Sequence, residues 1–74
     1  MENLSKKLYS IISKPIKQLG TTNPDIVMGL IGEKLTFIQY NIINDFLKWV
    51  YTNNKKFGFD NYNTLFIEYK KTTE

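Results

Sequence analysis

Seventy-four residues, a net charge of +3 and a pI near 9.2 describe one small basic domain, close to the lower size limit for a single hydrophobic core. The chain contains no Cys, His, Arg or Ala, which removes thiolate nucleophiles, disulfides, a Cys/His zinc site and the side chain that titrates near neutrality. With 42% hydrophobic residues, including five Phe, five Tyr and one Trp, apolar packing must hold the fold, and the composition is not that of a disordered chain.

The first element is an amphipathic helix over residues 3–19. At about 100° per residue, Leu4, Leu8, Ile11, Ile12, Ile16 and Leu19 fall on one arc, with Tyr9 at its border. Lys6, Lys7, Ser10, Ser13, Lys14, Lys17 and Gln18 fill the other. Pro15 cannot donate a helical hydrogen bond and disfavours the helical conformation at Lys14. The apolar period nevertheless runs through it in phase, so a kink or a fresh turn is expected there. Gly20 is the natural stop.

Asn23-Pro24-Asp25 is the sharpest boundary in the chain: a capping side chain, a proline suited to the first helical position, and a carboxylate at the positive end of the dipole. The short helix beyond it carries Ile26, Val27, Met28, Leu30 and Ile31. Gly29 weakens this helix and Gly32 is expected to end it. A second start follows, where Thr36 and Gln39 have capping-box spacing and Leu35 and Tyr40 occupy the staple positions. From there the principal helix runs over residues 37–53. Ile38, Ile42, Ile43, Phe46, Leu47, Trp49 and Val50 cover about half its circumference. Asn41, Asn44, Asp45, Lys48 and Thr52 form its one polar stripe. A helix that apolar is expected at the centre of the fold, with the first helix packed across it.

Residues 53–58 read as a turn or loop. Beyond them Tyr62, Leu65, Phe66 and Tyr69 follow the i, i+3, i+4, i+7 spacing of a helix, with Asp60 as its expected cap. The alternation of Leu65, Ile67 and Tyr69 with Thr64, Phe66 and Glu68 would also suit a strand, but no other segment offers it a partner. The expected fold class is therefore all-α: a compact bundle of three to four helices, forming one domain over residues 1–74.

The acidic residues, Glu2, Asp25, Glu33, Asp45, Asp60, Glu68 and Glu74, include no pair three or four apart, so no helical carboxylate pair is available for metal or acid–base work. Gly29-Leu30-Ile31-Gly32 lacks the preceding strand and the lysine of a phosphate loop. A non-enzymatic role is expected, with no cofactor, no metal and no small-molecule substrate.

Two binding roles remain. In the first, the surplus of aromatics serves protein contact, since Tyr, Trp and Phe are enriched at interface centres. Phe57, Tyr51, Tyr40 and Phe37 form the candidate protein-binding patch, while Phe59 is expected to fold back onto the core near Trp49. The protein would then be a small interaction protein that binds a larger protein as inhibitor or adaptor, or binds a second copy of itself.

In the alternative, the short helix, the glycine-containing connection and the long helix from Thr36 follow the order of a helix-turn-helix DNA-binding regulator. Lys6, Lys7, Lys14, Lys17, Lys55 and Lys56 are then the candidate nucleic-acid contacts. Against it, the long helix begins with Phe37, Gln39, Tyr40 and Asn41 and has no basic residue before Lys48. The absence of Arg also removes the commonest specific contact to guanine. A solvated outer face is the simpler reading of the first helix's lysines.

No apolar run is long enough to span a bilayer, and Ser10, Ser13 and Lys14 interrupt what would be a signal-peptide core. A cytoplasmic setting is expected. The Ile, Asn, Lys, Tyr and Phe bias matches AT-rich codons and, with the small size, suggests a phage or mobile element acting in its host's cytoplasm.

Overall fold

The computed structural model describes residues 2–73, and the side-chain surroundings of residues 6–72. Among these residues the chain forms four helices and no strand: α1 (Glu2–Leu19), α2 (Pro24–Ile31), α3 (Phe37–Thr52) and α4 (Tyr62–Thr73), with one 3-10 turn (Gly32–Lys34) after α2. The fold is an all-α bundle measuring 27 × 24 × 19 Å.

Each helix forms where its sequence starts and stops it. α1 passes through Pro15 as a single helix and buries Leu8 and Ile12, with Ile11 and Ile16 half-buried beside them. Leu19, expected on the same arc, is more than a third exposed; Leu4 lies outside the described side chains. Lys6, Lys7, Lys14 and Lys17 are exposed on the opposite face. Gly20 ends the helix with φ +71°, the left-handed conformation that glycine adopts without penalty, and its N–H donates to the Ile16 carbonyl at 2.7 Å.

Asn23 caps α2 as its spacing predicts, its Oδ1 accepting from the Asp25 N–H at 3.0 Å with Pro24 in the first turn. Gly32 is the C-cap that ends α2, as expected. It keeps helical angles and the backbone tightens into the 3-10 turn before extending at Leu35. The capping box of α3 is complete: the Gln39 N–H donates to Thr36 Oγ1 and the Thr36 N–H donates to Gln39 Oε1, both at 3.1 Å. Leu35 packs on the core, while the Tyr40 ring lies against Gly32.

The core comprises Leu8, Ile12, Val27, Met28, Ile43, Phe46, Leu47, Val50, Leu65 and Phe66. α3 supplies four of these, Ile43, Phe46, Leu47 and Val50, which bears out its central place. The backbone of α1 rests mainly on α2 and α4 rather than across α3. α1 still reaches α3 through side chains, since Leu8, Ile12 and Phe46 border one residual void of only about 10 Å³.

Ile38 was expected on the buried arc of α3, yet it is 69% exposed. An apolar arc spanning half a helix needs neighbours along its whole length, and here the cover thins out over the first turn of α3.

After α3 the chain reverses at Asn54, a non-glycine residue held at φ +54°, and the Lys55 N–H returns to the Val50 carbonyl at 3.0 Å. Asn61 then ties the following loop. Its Oδ1 accepts from the Gly58 N–H at 2.8 Å and its Nδ2 donates to the Lys56 carbonyl at 2.6 Å. The Asn61 carbonyl accepts the first bond of α4, from the Leu65 N–H at 2.9 Å, so the cap position belongs to Asn61 and not to Asp60. In α4, Leu65 and Phe66 are buried, Tyr62 and Tyr69 half-buried and Ile67 exposed, the pattern of a helix and not of a strand.

Candidate interaction surfaces

Eight of the eleven aromatic rings belong to one connected network. Phe46 lies at its centre, with ring centroids 5.5 Å from Tyr69, 5.7 Å from Phe66, 6.0 Å from Phe57 and 6.4 Å from Trp49. Tyr9 of α1 extends it outward, stacking on Tyr62 at 4.3 Å and lying 5.6 Å from Phe57 and 5.8 Å from Phe59. Such offset and edge-on pairs stabilise beyond the area they bury.

This network reverses the expected roles of the two loop phenylalanines. Phe57 is half-buried between Tyr9 and Phe46 and packs on the core, whereas Phe59 is 73% exposed. Trp49 packs with Phe46 and Tyr69 instead of Phe59. The physical reason is the loop itself. The left-handed turn at Asn54 and the Asn61 bonds direct the chain so that Phe57 meets the core and Phe59, beyond Gly58, faces outward. Tyr9, read from the sequence as a border residue, is the ring that receives both.

Burial first, and the Asp45 carboxylate second, push the Tyr69 phenol above its ordinary value. A phenol whose folded value is raised lends stability that is fully present below its unfolded value, near pH 10, and is lost as pH rises through the folded value. Urea midpoints of Tyr69→Phe are therefore expected to fall less than the parent's between about pH 9 and pH 11. Equal alkaline losses in the two proteins would contradict the assignment.

The other three residues of the candidate protein-binding patch stand on α3 and are exposed: Phe37 at 81%, Tyr51 at 47% and Tyr40 at 40%. Helical spacing puts them within about 60° of one another around the axis, but Tyr51 stands about 20 Å along α3 from Phe37, so only Phe37 and Tyr40 share the start of the helix. Sequence reasoning missed three further exposed apolar side chains: Ile38, about 100° round α3 from Phe37, and on α2 Ile26 and Leu30, which are 48% and 46% exposed. Ile26 and Leu30 are one turn apart on the outer side of a helix whose Val27 and Met28 are buried. The contact of Tyr40 with Gly32 joins the start of α3 to the end of α2. The missed signal was the composition of α2, which is apolar nearly all round and too short to be covered all round.

The candidate lysines divide into two groups. Lys14 and Lys17 of α1 and Lys55 and Lys56 of the loop border two recesses of about 440 and 520 Å³, which share Ile16, Lys17 and Phe57. Lys6 and Lys7 border neither. Lys55 also approaches Glu68 at 3.7 Å and lies 5.7 Å from the Trp49 ring centre; the ion pair is exposed on both sides and so contributes little. None of these lysines is on α2 or α3, the helices of the helix-turn-helix alternative.

Among the described residues no group of three or more Asp or Glu side chains could hold a metal ion. No helix among them is long and apolar enough to cross a membrane. Comparison with known protein families, with curated proteins and with solved structures gives no match in any of the three.

Proposed function

We propose that this chain is a non-enzymatic interaction protein that acts by protein–protein contact through the apolar surface of α2 and the first turn of α3. The observation that carries this reading is the exposure of the consecutive residues Phe37 and Ile38, at 81% and 69%, with Ile26 and Leu30 of α2 and Tyr40 of α3 also 40–48% exposed. Together these side chains expose on the order of 450 Å² of apolar surface, the size at which a monomer's patch is often functional. With a polar rim that surface approaches the roughly 800 Å² per partner of an ordinary specific interface.

The occupant favoured is a second copy of the chain. A twofold pair brings the same patch against itself, so apolar meets apolar without a second designed surface. Asp25, Glu33 and Lys34, exposed on the same segment of chain, supply both signs of charge, which suits self-complementary pairing. The duplex-reading alternative gains no support, because the exposed start of α3 is apolar and the six candidate lysines lie elsewhere.

Sedimentation equilibrium tests this. The parent is expected to associate reversibly in the micromolar to low-millimolar range. The double variant Phe37→Ser, Ile38→Ser should be monomeric, with a thermal midpoint close to the parent's at dilutions where the parent is also monomeric, since both side chains are exposed in the monomer. A parent that stays monomeric up to about 1 mM, or a double variant that associates as the parent does, would overturn the reading.

A further inference from the structure

We infer that the cleft between the C-terminal half of α1 and the 54–59 loop is a binding site for single-stranded nucleic acid. This surface is separate from the α2–α3 face, and the inference stands independently of it.

Two recesses run together here, joined by Ile16, Lys17 and Phe57, with volumes of about 440 and 520 Å³. Each is in the range of ordinary ligand sites. Four of the chain's ten lysines border them, two from α1 and two from the loop, and no Asp or Glu does. Of the nearby carboxylates, Glu68 is paired with Lys55 at 3.7 Å and Asp60 is next in sequence to Phe59. An exposed pair of that kind gives way readily to a phosphate.

The rings distinguish this cleft from a simple basic patch. Tyr9 is held by stacking on Tyr62 at 4.3 Å, and Phe59 stands beside it at 5.8 Å with 73% of its surface open. Tyr51, 47% exposed, borders the other recess. Phe59 offers a free ring face at the same recess as Lys14 and Lys17. Bases stack on such a face whatever their sequence, while lysines follow the backbone phosphates, and this combination marks single-strand binding sites. Paired bases in a duplex are already stacked and present no free face to a ring. An acidic peptide would use the lysines but leave the ring faces idle.

The test is fluorescence anisotropy with a labelled oligothymidylate of about 12 nucleotides, within the usual site size of small single-strand binders. Binding is expected at low salt, with a log–log salt slope of roughly −2 to −3, as three to four lysine contacts require. Phe59→Ala should weaken it about tenfold or more, because a stacked base is lost, with an unchanged melting midpoint. Lys14→Gln with Lys17→Gln should weaken it and flatten the slope by about 1.4. Lys6→Gln with Lys7→Gln, off the cleft, should leave affinity within about twofold, with at most a small change in slope. Duplex of the same length should compete poorly, and so should polyglutamate at equal charge. The inference is overturned by absence of binding at low salt, or by equal affinity for duplex. It is overturned equally by efficient displacement with polyglutamate, which would make this an acidic-peptide site. A Phe59→Ala protein that folds and binds as the parent does would also overturn it, leaving electrostatic attraction alone.

Discussion

Truncating Phe46 to alanine is expected to cost about 3–5 kcal/mol, among the largest losses of any alanine truncation in this chain. Its side chain is 2% exposed and touches four other rings, from α3, the loop and α4. Removing it opens a cavity at the junction of those elements, where Trp49, Phe57, Phe66 and Tyr69 cannot all move inward together. A domain of this size has a total stability of about 4–11 kcal/mol at the usual value per residue, so the variant should be close to unfolded at physiological temperature. Ile43→Ala, at a fully buried position, should cost about 2–5 kcal/mol. Ile42→Ala should cost less than either, because Ile42 is only half-buried. On sequence spacing alone Ile42 and Phe46 both sit in mid-arc; in the fold the arc is centred on Ile43, Phe46, Leu47 and Val50. Urea melts decide the order, and a Phe46→Ala protein within about 1 kcal/mol of the parent would refute the central role given to that ring.

The second large effect separates the two loop phenylalanines. Phe57→Ala should destabilise by about 2–4 kcal/mol, since its ring fills the space between Tyr9 and Phe46 and so joins the loop to both α1 and α3. Phe59→Ala should change stability by about 0.5 kcal/mol or less, as befits a side chain left mostly in water. Thermal melts of the two proteins side by side test the loop's direction. Equal losses, or a larger loss at Phe59, would mean that the chain leaves Asn54 along a different path.

These two residues show where the sequence is legible and where it is not. Helices α1, α3 and α4 are readable because each repeats its apolar residues at the helical period, whereas α2 is marked by its start alone. The two internal starts are readable because Asn23 and the Thr36–Gln39 pair are local devices, complete within four residues. Phe57 and Phe59 lie in a loop with no period, and their directions depend on a positive φ at Asn54 and on two hydrogen bonds made by Asn61. Neither feature has a sequence signature that fixes which ring turns inward.

Ile38 failed for a different reason. Periodicity says which face of a helix is apolar, but not how far along its length that face is covered. The same limit hid Ile26 and Leu30, which belong to an apolar helix with one side left over. The lysines were legible one by one, whereas their gathering was not. Lys14 and Lys17 meet Lys55 and Lys56 only because the loop after α3 folds back beside α1.

The reading of α2 and the start of α3 as a contact surface is tested most directly by amide NMR spectra of the parent recorded on dilution from about 1 mM to about 20 µM. Concentration-dependent shifts are predicted for the amides of Ile26, Leu30, Phe37, Ile38 and Tyr40, with those around Tyr9, Lys14 and Phe59 unmoved. Spectra that do not change on dilution, or changes confined to the α1–loop cleft, would contradict it.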